Sequence, residues 1–468
     1  MMKTVTGEHV QWRQSSMEKK NNFGMGKKIG YGIGDLGGNL VSAAAGAFVT
    51  MYYTDSVLLS AAFIGTMMLF TRLLDGISDI IMGIIIDKTY TKYGKARPWV
   101  LFSAFPLILS FILMLNVPSG LSDTATKIYV VVTYIFYSVI CFTAVNGAYS
   151  TLVTLICPNP EERTGFTSAR SFCSSLAMLL AQSYSVALMA RFGGGQKGFT
   201  AMSIIYGVIA LICILITGLT CKEYKITTKA EMENKNSSSL IQDVKLLFSS
   251  KYTFLTLIAF VFTWFMLTGS GGASVYFVRD VLQDMSLMAP LSMAGTLPSL
   301  IILALGIVPK AAKRYGKRNT LMMGAGFLMF GYTVISLFPY QLPVIFAGMI
   351  CKGIGVGLST SLLFATTSDV ADYINIKNHV TVTGLTHSLT GFGVKVGVGL
   401  GSASLGWILA IGNYSAEAAN SGMAQSAGAL FAERACYSIV PLICAAILMG
   451  SAVFLDVEKQ LEKLKAEE

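Results

Sequence analysis

The chain has 468 residues, of which 53% are hydrophobic and only 13% charged, and its mean hydropathy is +0.62. Soluble domains carry about 25% charged residues, so this composition excludes a water-soluble globular protein. The net charge of +10 would suit a nucleic-acid binder, but its distribution points elsewhere.

Apolar runs that can cross ~30 Å of hydrocarbon recur along the whole chain. Twelve are expected, roughly at residues 30–53, 59–86, 99–117, 127–156, 165–190, 200–221, 252–278, 289–308, 320–338, 343–368, 380–411 and 430–455. Only a helix satisfies its backbone groups within one crossing, so the expected class is an all-α polytopic membrane protein. With the N-terminus inside, 27 Lys or Arg fall on the inner side. Five fall at or beyond the outer span ends (Lys127, Arg191, Lys197, Arg279, Arg434), Arg170 near the inner end of the fifth span is counted inside, and Arg72, Lys352 and Lys395 lie deep within spans. That bias places both termini in the cytoplasm and makes lipid, not nucleic acid, the partner.

Residues 1–29 form a cytoplasmic segment, whose first 22 are polar without an apolar core, so no cleaved signal peptide is expected. The first span carries Gly30, Gly34, Gly38, Ser42 and Gly46 at four-residue spacing, a stripe that lets another helix approach closely. Asp35 and Asn39 share another face of it.

The second span reads Phe70-Thr-Arg-Leu-Leu-Asp75-Gly-Ile-Ser-Asp79. Residues four apart on a helix lie one above the other, so both carboxylates face one way. Each charge costs ~3 kcal/mol at the bilayer centre and marks a task. Arg72 can neutralise one of them, which leaves a negative charge for a sodium ion, a proton or another basic group. In the fourth span Thr143, Asn146 and Ser150 form a polar stripe flanked by Phe142 and Tyr149. Hydroxyls, amides and aromatic rings suit a sugar, which needs hydrogen bonds and an apolar stacking face. Interhelical hydrogen bonding is the plainer reading of each.

Residues 222–251 are a polar middle loop separating a first bundle (30–221) from a second (252–455). Within the loop Leu240, Ile241, Val244, Leu247 and Phe248 recur at helical spacing, which suggests a helix lying on the inner membrane face. Thr91-Lys-Tyr-Gly-Lys95 and Lys313-Arg-Tyr-Gly-Lys317 occupy the same inner loop of each bundle, 222 residues apart. Upstream of the first, Gly83-Ile-Ile-Ile-Asp87-Lys88 resembles the inner-loop motif of the major facilitator superfamily, whose fold requires parallel six-helix repeats around a midplane site.

Asp369 and Asp372 stand where the tenth span meets the cytoplasm, either as a gate against the basic loop 310–318 or as a solvated rim. Lys352 lies within the tenth span. Lys395 sits among Gly391, Gly393, Gly397, Gly399 and Gly401 in the eleventh, where it can reach Asp75 and Asp79 or an anionic substrate. His379 and His387 are better read as packing residues than as a proton relay. The eight cysteines are scattered, without metal or redox spacing, and read as reduced thiols. Residues 456–468 form a cytoplasmic tail.

Taken together, Gly30-Tyr-Gly-Ile-Gly-Asp-Leu-Gly-Gly-Asn39, Tyr52-Tyr-Thr-Asp55, Arg72-Leu-Leu-Asp-Gly-Ile-Ser-Asp79, Tyr93-Gly-Lys-Ala-Arg-Pro98 and Asp369-Val-Ala-Asp-Tyr373 resemble the glycoside–pentoside–hexuronide:cation symporter family of melibiose and glucuronide permeases. The resemblance implies that Asp75, Asp79 and Thr143 bind the cation and that Lys395 couples cation to sugar. It places Arg170 at the sugar site. Asn39, Asn146 and Ser150 stand where the melibiose permease has two aspartates and a tryptophan, so a glucuronide- or xyloside-like substrate is favoured.

The sequence therefore predicts a twelve-helix inner-membrane symporter that works as a monomer, imports a sugar with Na+ or H+, and needs no cofactor and no resident metal. The substrate residues expected are Asp35, Asn39, Arg72, Asn146, Tyr149, Ser150, Arg170 and Lys395. The chain has no Gly-x-x-x-x-Gly-Lys-Ser/Thr phosphate loop. A membrane enzyme with a carboxylate-bound metal and a channel are the competing readings.

Overall fold

The computed structural model describes residues 25–89, 91–157, 160–223, 240–378 and 383–467. Its helices are α1 (Met25–Met51), α2 (Ala61–Asp87), α3 (Arg97–Met114), α4 (Asp123–Ile135), α5 (Thr143–Ile156), α6 (Pro160–Arg191), α7 (Gly195–Thr220) and α8 (Leu240–Ser249). There follow α9 (Lys251–Tyr276), α10 (Met288–Ala304), α11 (Ile307–Tyr315), α12 (Lys317–Leu337), α13 (Leu342–Asn378), α14 (Thr383–Ile411), α15 (Ala416–Asn420), α16 (Ala427–Arg434), α17 (Val440–Val453) and α18 (Val457–Glu467). A π turn at Phe136–Phe142 joins α4 to α5, and another at Ala435–Ile439 joins α16 to α17. These joined pairs and the other long helices make the twelve crossings.

Among the described residues, ten crossings are long and apolar enough to span a membrane. The two outside that set are α1 and α2, 27 residues each, which carry the intramembrane Asp35, Asn39, Arg72, Asp75 and Asp79. Length alone suffices for both, at 1.5 Å per residue. The tenth crossing, α13, ends at Asn378 rather than near residue 368, so Asp369 and Asp372 stand on a helix and not in a loop.

In the first half α1 packs on α6 and α7, and α3 on α7; in the second, α12 packs on α13, α9 on α14 and α17, and α10 on α13. Among the described residues, long helices of the two halves meet at α2 with α14, α6 with α10, and α1 with α9, and α15 meets the turn that follows α1. The α2–α14 contact is backbone on backbone, since a Cβ added to Gly65 would lie 2.7 Å from the Ala403 carbonyl oxygen. The small-residue stripe of α1 is not one continuous seam. Gly30 and Gly34 abut Thr220, Thr217 and Tyr149, whereas Gly38 and Gly46 face open space and Gly37 instead meets Ala210. At 3.6 residues per turn a four-residue spacing drifts by about 40° each step, so the stripe rotates off the contact face.

The internal repeat has a structural counterpart. Gly94 and Gly316 both adopt positive φ (112° and 81°). After Gly94, the backbone N–H groups of Lys95, Ala96 and Arg97 donate to Glu223 (3.0, 2.9 and 3.0 Å). After Gly316, the N–H of Lys317 donates to Glu458 (2.9 Å). In each half a glutamate from beyond the last crossing caps the start of the third, supplying the orphan N–H groups with an anion. The expected amphipathic helix of the middle loop is α8, whose Leu247 is buried beside Tyr252, Val370, Ile374, Leu455 and Val457. None of the eight cysteines forms a disulfide.

Candidate functional site

Midway along α2, Asp75 and Asp79 both reach Lys395 of α14. The ammonium lies 2.5 Å from Asp79 Oδ2 and 3.6 Å from Asp75 Oδ1, and it donates to the Asp75 carbonyl oxygen at 2.7 Å. Arg72 Nη1 holds the other side of Asp75 at 3.3 Å and donates to Ser138 Oγ at 3.2 Å. Thr143 Oγ1 donates to Asp75 Oδ1 (2.7 Å), and Ser78 Oγ lies 3.2 Å from Thr143 Oγ1. The negative charge that sequence proximity left over is thus met by a lysine 320 residues away, from the other half. Two carboxylates now face two cations, and the cluster is balanced. Asp75 is buried, whereas the Asp79 side chain is 46% exposed. An exposed carboxylate can exchange its partner without emptying a sealed site.

A second polar site lies between α1, α5 and α6. Arg170 Nε donates to Asp35 Oδ1 at 3.1 Å and its Nη1 to Ser150 Oγ at 3.4 Å. The Arg170 guanidinium sits 5.2 Å from the centre of the Tyr149 ring, and Tyr149 stacks on Tyr31 at 4.5 Å. Tyr31 and Tyr149 exchange hydrogen bonds from each hydroxyl to the other's carbonyl oxygen (3.2 and 2.5 Å). Tyr149 is therefore a buried pillar under Arg170, with its ring and hydroxyl both engaged. Asn39 donates to the Asp35 carbonyl oxygen (2.9 Å), and Asn146 is exposed. Asp35, Tyr149, Ser150 and Arg170 come together here; Arg72 and Lys395 belong to the carboxylate cluster instead.

Among the described residues, the inner-rim carboxylates do not join the halves in this conformation. Asp369 accepts from Lys317 Nζ through both oxygens (2.7 Å each), and Lys317 belongs to the same half. Asp372 is exposed, with no ion pair among the described residues. Lys352 donates to Ser270 Oγ at 3.3 Å and lies 5.5 Å from the Tyr332 ring centre; among the described residues it has no acidic partner. His379 and the His387 side chain lie outside the described residues.

A third cluster, which the sequence did not suggest, binds the halves at the face away from the termini. α1 continues into a π turn at Tyr52–Ser56 and α9 into one at Phe277–Val281. Such turns insert a residue and redirect side chains, and they recur at functional positions. Asp55 Oδ2 meets Arg279 Nη1 at 2.5 Å, and Arg279 grips Asp280 through Nε and Nη2 at 2.8 Å each. Tyr414 donates to Asp55 (2.8 Å), Asn420 donates to the Asp55 carbonyl oxygen (2.7 Å), and Thr54 lies 3.1 Å from the Tyr276 hydroxyl. At the terminal face the corresponding bonds stay within one half: Glu223 with Lys95, Lys317 with Asp369, and Tyr252 with Asp456 (2.8 Å). Among the described residues, the molecule is latched at one face, and the ion pairs and hydrogen bonds named at the other stay within each half. The sequence signal was Tyr52-Tyr-Thr-Asp55, quoted only as a motif, and Arg279, counted only as an outer charge.

The family described as MFS/sugar transport protein matches residues 30–459. The isoprimeverose transporter of Lactiplantibacillus pentosus is 30% identical over 97% of this chain and 93% of its own length. A putative glycoside/cation symporter of Escherichia coli (strain K12) is 29% identical over 93% of this chain and 92% of its own. Among solved structures, the nucleoside transporter NupG superposes with a TM-score of 0.60 at 14% identity, covering 92% of this chain and 98% of that one. At that identity the likeness speaks for the fold alone, and it is the twelve-helix fold expected from the repeats.

Proposed function

Because this chain belongs to the MFS/sugar transport family, a family of multi-pass membrane carriers and not of enzymes, we propose that it imports a sugar together with a cation by alternating access. The single observation that carries this reading is the Lys395 ammonium, standing between Asp75 and Asp79 of the opposite half. A sodium ion or a proton arriving at those carboxylates competes with Lys395 for the same oxygens. Occupancy by the guest therefore frees the lysine and loosens the α2–α14 contact. When the guest leaves, Lys395 returns and the balanced cluster re-forms. Charge neutrality thus links cation binding to the movement of one half on the other.

The sugar is assigned to the space beside Arg170, whose side chain is 31% exposed, with Asp35, Asn39, Asn146 and Ser150 as neighbours. Hydroxyl groups would share the guanidinium and carboxylate as donors and acceptors. Within the glucuronide- and xyloside-like branch a hexuronide is favoured, since Lys352 offers its carboxylate a cation without an acidic partner among the described residues. By the positive-inside rule the terminal face is cytoplasmic, which makes the latched face the outer one.

Uptake in vesicles driven separately by imposed sodium and pH gradients tests the reading. Asp75→Asn and Asp79→Asn are expected to abolish uphill accumulation while exchange partly survives. Undiminished accumulation in both variants would overturn it. Paired neutral and uronic glycosides test the substrate branch, and preference for the neutral member would reject it.

A further inference from the structure

The outer latch holds more acid than base. Around the single guanidinium of Arg279 stand Asp55, Asp280 and Glu433, three carboxyl groups from the π turns that follow α1 and α9 and from α16. Two of them are saturated with donors. Glu433 is not: it is 0% exposed, and neither carboxyl oxygen has a hydrogen-bond partner. Asp280, Arg279 and Asp55 are its charged neighbours. The remaining titratable neighbours supply no compensating charge. Tyr276 of α9 and Cys436 of the π turn after α16 stand near Glu433 but can carry no positive charge, and Tyr414 spends its hydroxyl on Asp55. Arg434, next in the chain, faces the Tyr340 ring at 5.6 Å instead. An ionised carboxylate that is dry, without a donor and next to a second carboxylate is not sustained; such a pair shares a proton. A metal is the alternative guest, but among the described residues no group of three His, Cys, Asp or Glu is arranged to hold one.

We propose that Glu433 is a proton-binding site of the outer latch, separate from the Asp75–Asp79 site, which takes up one proton from the outer solution when the latch closes and releases it when the latch opens. The proton moves between water and the Glu433 carboxyl, without a change elsewhere. In the closed state it neutralises the third acid and lets Asp280 keep its bidentate grip on Arg279. On opening, Glu433 meets water and ionises. The closed state therefore holds one proton more than the open one, so a rise in outer pH favours opening and a fall favours closure. This rests on the alternating-access reading, but not on which sugar or cation is carried.

Hydrogen exchange of the intact chain in lipid nanodiscs reads the latch directly, through segments 52–60 and 277–287. After correction for intrinsic exchange, protection there is expected to fall by up to about tenfold per pH unit in the range where one proton is lost. Glu433→Gln keeps the shape and removes the site, so its latch should stay protected with a flat pH profile. Glu433→Asp disturbs packing but keeps an acid, so its slope should persist. A flat profile in the parent chain, or an unchanged slope in Glu433→Gln, would overturn the proposal. Failure of the transport reading instead appears as loss of gradient-driven uptake with this profile intact.

Discussion

Two ionic clusters cross between the halves, and they are composed differently. At mid-membrane Asp75 and Asp79 face Arg72 and Lys395, two against two, and the Asp79 side chain is 46% exposed. At the face away from the termini Asp55 and Asp280 pair with Arg279 and Glu433 stands beside them without a partner of its own, three acids against one base, with Asp55 and Glu433 buried. Balance with exposure suits exchange: one cation can replace another at little cost in desolvation. Imbalance with burial suits a latch, because removing its one cation strands several acids.

The comparison can be broken most severely at Arg279. Arg279→Ala leaves buried acids uncompensated, and loss of about 3–5 kcal/mol is expected, read as a large drop in unfolding temperature and loss of exchange protection at 277–287. Asp55→Asn is milder, about 1–2 kcal/mol by the loss of a charged hydrogen bond, because Asp280 still holds Arg279 and the excess of acid is reduced; unfolding temperature again checks it. Lys395→Ala should cost no more than about 1 kcal/mol, since its shorter ion pair involves an exposed carboxylate. In the same variant uphill accumulation should vanish and sodium or proton binding to the resting protein should tighten, measurable by calorimetry. If Lys395→Ala proves as destabilising as Arg279→Ala, the distinction between the clusters fails. Ser138→Ala removes one donor–acceptor contact of Arg72 and should cost ~1 kcal/mol or less, with transport largely retained in vesicles.

Legibility followed sequence distance. The i,i+3 and i,i+4 relations of Arg72, Asp75 and Asp79 were readable because helical geometry fixes them. Glu223 was invisible as a cap because nothing near Gly94 points to a residue beyond the sixth crossing. The inner end of α13 was set too early because hydropathy falls before the helix ends at Asn378, whereas the pairing of Asp369 with the basic segment 310–318 was within reach of the sequence. Tyr149 looked like a sugar platform on its own helix; only the arrival of Tyr31 from α1 turned it into a pillar.

The amino-acid sequence by itself determined the twelve crossings and the shared direction of the two α2 carboxylates. Burial in lipid adds up residue by residue, and helical periodicity is local. Tertiary structure alone decided that Lys395 completes Asp79 and that Arg279 latches Asp55, partners 316 and 224 residues apart. An ion pair depends on the distance between charged atoms, and in a bundle that distance is set by which helices meet.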